Sequence, residues 1–310
     1  MGNSTRLAGS LTRRWLFKAG AGLATGAGAT VLLAHTADAA EADAAALQRL
    51  TAKDRDPLRG ILLKAGTIVS LDRQVGNLVR GDVLIRGTKI EAIAPNLDPG
   101  QAEVIDAANC IIVPGFVDAH RHAWQGQLRR INPNSPTLAD YYKATHSSFA
   151  LHYRPHDIYV GNLVTALGCI DSGITCLIDN SHNTRTPAHS DAAITALFDS
   201  GIRAVHASGA PQAGEWDKHW PNDLVRVQKQ YFSSSDQLVT LGMFARLVPE
   251  YWALARKLGL RIHSEMTGQQ LGGALARFGE QKLVGPDNTF NHCGDLSDTA
   301  WQAIKDAGAA

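Results

Sequence analysis

The feature that most constrains the fold is an alternation of short apolar segments with amphipathic segments from Pro114 to the C-terminus. This alternation is typical of βα units, which build a parallel sheet or a barrel. The predicted strands are Gly115–His120, Thr175–Asp179, Arg203–Ala207, Val239–Ala245, Arg261–Ser264 and Thr289–Cys293. The predicted helices are Pro155–Ser172, Thr186–Ser200, Pro249–Leu258, Leu271–Phe278 and Asp298–Ala307.

The segment before this alternation has a different pattern. Residues 60–72 and 81–95 are rich in β-branched residues and are separated by Gly, Asn and Asp, which favour turns. We therefore predict a small antiparallel β domain ahead of the βα region. The predicted organisation is a signal segment, a lead-in, the small β domain and the βα region, over residues 1–39, 40–58, 59–113 and 114–310.

The N-terminus carries the features of an export signal. Arg13 and Arg14 precede an apolar, glycine-rich run, and the small residues Ala37–Ala39 follow it. The paired arginines predict a twin-arginine signal and a periplasmic or secreted protein. A membrane anchor is the alternative, although the run is short and glycine-rich for a stable span.

The charge balance bears on the partners of the protein. The formal net charge is +1 and 19% of the residues are charged. The chain therefore lacks the excess of basic residues that is typical of a nucleic-acid-binding domain. We therefore expect a small-molecule substrate and no nucleic acid, and a homo-oligomer stays open.

Polar side chains follow the predicted strands at their C-terminal ends, where barrel enzymes carry their catalytic groups. His120 and His122 are separated by one residue, so both side chains can point to the same face of a strand. Taken alone, the pair is either half of a metal site or two hydrogen-bonding histidines. The other strand-end residues are Asp179, His182, His206, His263, Glu265, His292 and Asp295.

Three motifs decide between these interpretations. The segments "VPGFVDAHRH", "RIHSE" and "FNHC" resemble the amidohydrolase superfamily, and within it the cytosine-deaminase and triazine-hydrolase branch. The resemblance implies that His120, His122 and His263 bind one divalent metal, Zn or Fe. It also implies catalytic roles for Glu265, as a proton donor, and for His292, which steadies the oxyanion. The implied fold is an α/β (β/α)8 TIM barrel preceded by the small β domain.

Two departures from the family pattern qualify these expectations. Glu265 follows His263 by two residues where the branch has three, so a purely structural glutamate is the alternative. Only about six barrel strands are predicted, and the family's metal-linked aspartate at strand eight has no counterpart. We therefore expect an incomplete barrel, truncated after strand six, with little activity on its own.

The predicted function is metal-dependent hydrolysis of carbon–nitrogen bonds other than peptide bonds. The reaction would be deamination or removal of another leaving group from a small N-heterocycle, attacked by metal-activated water. An inactive fragment or a non-catalytic binding remnant is the alternative. We expect Trp124, Gln125, His182 and His206 to bind the substrate, and the aromatic loop at 215–221 either to cover the site or to pack on the barrel rim.

Overall fold

The computed structural model describes residues 60–131, 135–234 and 236–310. The chain divides into two compact units, and the division falls between Pro114 and Gly115. Each unit has its own sheet, so each is described separately.

The predicted signal segment (1–39) and lead-in (40–58) lie outside the described residues. Twin-arginine export therefore stays a prediction. Within the described ranges, none of the helices is both long and apolar enough to cross a bilayer.

The first unit is a five-stranded sheet in the order β3-β2-β1-β4, with β5 also paired to β1. Its strands are β1 (Gly60–Val69), β2 (Asn77–Arg86), β3 (Lys89–Ala94), β4 (Glu103–Asp106) and β5 (Ile111–Ile112). The predicted antiparallel pairing is confirmed for β1, β2 and β3. The two short strands β4 and β5 instead pair parallel to β1, because a longer connection returns the chain to the start of the sheet.

A buried carboxylate holds part of this sheet together. Asp82 on β2 is 2% exposed and accepts hydrogen bonds from the backbone N–H of Ala65 at 2.7 Å and of Leu97 at 2.9 Å. Lys64 lies 3.7 Å from the same side chain. The Asp82 carboxylate therefore satisfies backbone donors that the strand ladder leaves unpaired.

The second unit contains a six-stranded parallel sheet whose strands follow one another in chain order. The strands are β6 (Phe116–Arg121), β7 (Ile174–Ser181), β8 (Arg203–Ser208), β9 (Val239–Phe244), β10 (Ile262–Thr267) and β11 (Asn288–Gly294). They confirm the predicted strands with shifts of a few residues at the ends. His120 on β6 and His292 on β11 have ring centroids only 4.5 Å apart, although these strands form opposite edges of the sheet. The sheet therefore curls into a nearly closed barrel.

Helices connect consecutive strands, and they begin and end where local chemistry favours it. They are α1 (Leu138–Thr145), α2 (Pro155–Asp171), α3 (Pro187–Ser200), α4 (Leu224–Tyr231), α5 (Pro249–Lys257), α6 (Gly268–Glu280) and α7 (Asp298–Asp306). Pro187 and Pro249 stand at the first position of their helices, where a missing N–H costs no hydrogen bond. Gly201 directly follows α3 with φ of 72°, a left-handed conformation that favours glycine.

The sequence pattern does not predict α1 and α4. Both helices are short, with eight residues each, and both lie in connections that read as loops. In α4 the apolar positions Leu224 and Val227 are three residues apart and both are buried. Two turns give too few repeats for a helical period to stand out from a loop.

The largest apolar cluster lies between the sheet and the helices that follow β8 to β11. Trp252 on α5 has no exposed surface and packs against Phe278 and Phe290, with ring centroids 5.0 and 6.3 Å away. Trp220, in the loop at 215–221, is also buried, and its indole N–H donates to the carbonyl of Ser208 at 3.1 Å. Packing is therefore the observed role of Trp220.

Candidate active site

Most of the strand-end histidines lie together, because the C-terminal ends of the six parallel strands are on the same side of the sheet. His120 comes from β6, His263 and Glu265 from β10, and His292 from β11, while His122 follows β6 directly. Strand pairing thus converts residues that are far apart in sequence into neighbours.

The carboxylate of Glu265 lies among three imidazoles. Its Oε1 is 3.0 Å from Nε2 of His122, 3.4 Å from Nε2 of His120 and 3.7 Å from Nε2 of His292. Within the described ranges, His120, His122 and Glu265 form a group whose ligand atoms all lie within 4.8 Å of one another. This spacing suits a single metal ion held by two imidazoles and one carboxylate.

The charges in this cluster depend on one another. Burial alone would raise the pKa of Glu265, but its contacts with His120 and His122 hold that pKa well below the ordinary range. Burial alone would likewise lower the pKa of His122, but the hydrogen bond and the charge of Glu265 raise it. Without a metal, Glu265 is therefore ionised and favours a protonated His122 beside it.

His263 lies nearby but outside the three-residue group. Its side chain is buried, and neither ring nitrogen has a hydrogen-bond partner. Burial, and after it the charges of Arg261 and His120, lower the pKa of His263 to about 4. A Cβ added at Gly242 on β9 would lie 3.2 Å from Nε2 of His263, so this glycine makes room for the ring. His263 is thus a neutral imidazole, and one of its ring nitrogens has a lone pair available, as a metal ligand requires.

The end of β7 supports the two histidines of the first strand. The carbonyl oxygen of Asn180 lies 2.9 Å from Nδ1 of His122, and the side-chain amide of Asn180 contacts Nδ1 of His120. Asp179 accepts a hydrogen bond from the backbone N–H of Ala123 at 2.9 Å. Asp179 is among the predicted strand-end residues, whereas Asn180 is not; the one signal for Asn180 in the sequence is that it is a polar residue directly after a buried strand.

These residues fit a divalent metal. Nε2 of His120 is buried without a hydrogen-bond partner, and both nitrogens of His263 are in the same situation. His122 uses Nδ1 for a backbone carbonyl, which leaves Nε2 as its ligand atom. Imidazole and carboxylate donors suit Zn²⁺ and Fe²⁺ alike. The chain therefore has a candidate divalent-metal site.

Two of the four predicted substrate-binding residues form the buried wall beside this site. The ring of His182 lies 4.2 Å from that of His122 and 5.8 Å from that of Trp124, centroid to centroid. Trp124 has no exposed surface and His182 has 1%. His146, which no sequence motif singles out, is buried against His182, with ring centroids 4.9 Å apart. Burial lowers the pKa of His146 to about 4, so this wall is uncharged at neutral pH.

The other two predicted substrate-binding residues have different surroundings. Gln125 is half-buried and donates a hydrogen bond through Nε2 to the hydroxyl of Tyr141 at 2.6 Å. His206 is fully buried, and its Nδ1 lies 3.3 Å from Oδ2 of Asp179. Gln125 is therefore open to solvent in part, whereas His206 lies inside the sheet and pairs with a buried carboxylate.

Known proteins share both sequence and fold with this chain, although no protein-family model matches it. The 5-methylthioadenosine/S-adenosylhomocysteine deaminase of Thermococcus onnurineus is 27% identical over 239 residues, covering 72% of this chain and 54% of the relative. The chain thus spans about half the length of the curated relatives that it matches.

Solved structures show the same fold. The atrazine chlorohydrolase of Arthrobacter aurescens complexed with zinc superposes with a TM-score of 0.68, at 22% identity, over 81% of this chain and 64% of that one. An adenosine deaminase from Xanthomonas campestris with bound zinc gives a TM-score of 0.69, at 18% identity, over 82% and 62%. The strand-end histidines, the deaminase relative and the shared fold together support the resemblance of this chain to the amidohydrolase superfamily.

Proposed function

We propose that the protein carrying this chain is a metal-dependent hydrolase of small N-heterocycles that cleaves a carbon–nitrogen bond, or a bond from ring carbon to another leaving group. One observation carries the proposal. The ligand atoms of His120, His122 and Glu265 come together at the C-terminal ends of the parallel barrel strands. The deaminase relative supports the same reaction class. That similarity disfavours the alternative of a non-catalytic binding remnant.

The proposed metal ligands are His120, His122 and His263, with Glu265 in reach of the same ion. When bound, a divalent metal lowers the pKa of a water molecule toward roughly 7 and so supplies a nucleophile at neutral pH. We favour zinc over iron because two solved structures of this fold hold zinc.

The other proposed roles follow from charge and position. Glu265 is ionised at rest, so it acts first as a proton acceptor and then passes that proton to a ring nitrogen or to the leaving group. His292 is half exposed and lies 3.7 Å from Glu265, where its Nε2 can donate to an oxyanion formed on the substrate. Trp124, Gln125, His182 and His206 stay the proposed substrate-binding set, with Gln125 the most accessible of them.

We also propose that the protein is exported through its twin-arginine segment. Arg13 and Arg14, followed by the apolar run and Ala37–Ala39, are the support for this proposal. That route transports folded proteins, which suits an enzyme that acquires its metal before export.

The function is tested by metal analysis and a substrate panel. We expect about one zinc per chain, and release of ammonia or chloride from adenosine-type nucleosides or chlorinated triazines by the protein that contains this chain. Chelation and His122→Ala should abolish both the bound zinc and the release. Glu250→Gln, an exposed substitution on α5, is the matched control and should change neither. Turnover that survives chelation and His122→Ala would contradict the proposal.

A further inference from the structure

One residue on β7 contacts both histidines of the His-x-His pair on the neighbouring strand. Strands β6 and β7 pair in parallel, with Arg121 opposite Asp179, so the residue after Asp179 lies beside the end of β6. That residue is Asn180, which has no exposed surface. Its main-chain carbonyl meets Nδ1 of His122 at 2.9 Å, and its side-chain amide meets Nδ1 of His120.

The first contact determines the protonation of His122. A carbonyl oxygen can only accept a hydrogen bond, so Nδ1 of His122 must carry a proton. In the neutral ring the lone pair is then on Nε2, the atom that faces Glu265 at 3.0 Å. The backbone of Asn180 thus selects the tautomer that can bind a metal at this edge of the sheet.

The second contact can do the same for His120. The amide of an asparagine offers an acceptor on one side and donors on the other. Oδ1 of Asn180 is buried without a hydrogen-bond partner. Nδ2 is the amide atom that lies against Nδ1 of His120, and a half-turn of the amide group exchanges it with Oδ1. With Oδ1 turned toward Nδ1 of His120, it accepts the proton of that nitrogen, and Nε2 of His120, which has no hydrogen-bond partner, keeps its lone pair.

Asp179 holds the backbone in place around this arrangement. Its Oδ1 accepts the N–H of Ala123, the residue directly after His122, at 2.9 Å. Its Oδ2 lies 3.3 Å from Nδ1 of the buried His206. Asp179 therefore ties the chain directly after His122 to the end of β7 and also contacts His206 on β8.

We propose that Asn180 is a positioning residue that fixes both imidazoles of the His-x-His pair with Nδ1 protonated and Nε2 directed at the metal. The inference rests on the proposed metal site and goes beyond it, because it assigns metal affinity to a residue that is not a ligand. Residues that orient metal-bound histidines in this way typically change metal affinity by 10- to 100-fold.

The experiment measures zinc affinity of the full chain by competition with a chromophoric chelator, with circular dichroism as the control for folding. Asn180→Leu removes the side-chain acceptor and keeps a similar size, and we expect zinc to bind about 10- to 100-fold more weakly. Asn180→Asp restores an acceptor for Nδ1–H of His120, and we expect affinity equal to or tighter than that of the parent.

The matched control is Asn288→Leu. Asn288 is as buried as Asn180, but it stands at the start of β11, at the opposite end of the strands from the metal site. It accepts from Gly285 N at 2.8 Å, so its loss costs a buried hydrogen bond without touching the histidines. Zinc affinity of this folded control should match that of the parent.

Two further outcomes keep the proposals separable. The positioning role would be overturned, and the metal site left intact, if Asn180→Leu bound zinc as tightly as the parent. The same conclusion would follow if Asn180→Leu and Asn180→Asp bound zinc equally weakly. A parent that binds no zinc would overturn both proposals. If Asn180→Leu does not fold, nitrogen-15 NMR of the zinc-loaded parent decides: His120 protonated on Nδ1 supports the role, and protonation on Nε2 refutes it.

Discussion

Replacing Glu265 with glutamine should reduce the number of protons that the protein releases when zinc binds. Zinc and a proton compete for Nε2 of His122, because Nδ1 is occupied by the carbonyl of Asn180. Glu265 raises the pKa of His122 above its usual 6.5 against the opposing effect of burial. With glutamine at 265, burial still lowers the pKa of His122 and only the Asn180 carbonyl and the charge of Asp179 still raise it, so this pKa should fall.

The magnitude follows from these directions. At pH 6.5 more than half of the parent molecules carry the His122 proton, and a smaller fraction should carry it in Glu265→Gln. Below the raised pKa, the zinc affinity of the parent should fall about tenfold per pH unit, or about 1.4 kcal/mol. The pairing with Glu265 also stabilises the metal-free fold below pH 6.5, and this contribution is lost as the pH rises through the raised pKa of His122.

Isothermal titration calorimetry in buffers of different ionisation enthalpy counts the released protons directly. We expect a smaller count for Glu265→Gln than for the parent at pH 6.5, and an unchanged count for the exposed control Glu250→Gln. Weaker zinc binding of Glu265→Gln is expected in addition, because one oxygen donor becomes a neutral amide. An equal or larger proton count in Glu265→Gln would refute the coupling between Glu265 and His122.

Three other outcomes can be measured independently. Trp252→Ala should lower the free energy of unfolding by about 3–5 kcal/mol in chemical denaturation, whereas Trp252→Phe should cost less; equal losses would contradict the packing seen here. The hydrogen bonds of Arg154 lower the pKa of Asp157 to about 2, so its stabilising effect is present above pH 4 and is lost as the pH falls toward 2. Asp157→Asn should flatten this part of the acid unfolding curve, and an unchanged curve would argue against the pair. Replacing Arg13 and Arg14 with lysine should leave the precursor in the cytoplasm, and normal export of the double variant would exclude the twin-arginine route.

Much of the fold could be predicted from sequence because its signals are local. An apolar strand followed by an amphipathic segment needs only a window of a few residues to be recognised, and six such strands were predicted and found. The spacing of His120 and His122 likewise indicates that both can face one way from a single strand end. The short helices α1 and α4 were missed because two turns carry too little periodicity.

The sequence by itself therefore determined the βα order, the small sheet ahead of it and the strand-end histidines. Only the tertiary structure decided which of those residues meet. It brought Glu265 Oε1, rather than His263, into the close group with His120 and His122, and it placed Asn180 behind both rings. The physical reason is that periodicity sets the face on which a side chain lies, whereas strand register and the curl of the sheet set the distance between side chains on different strands.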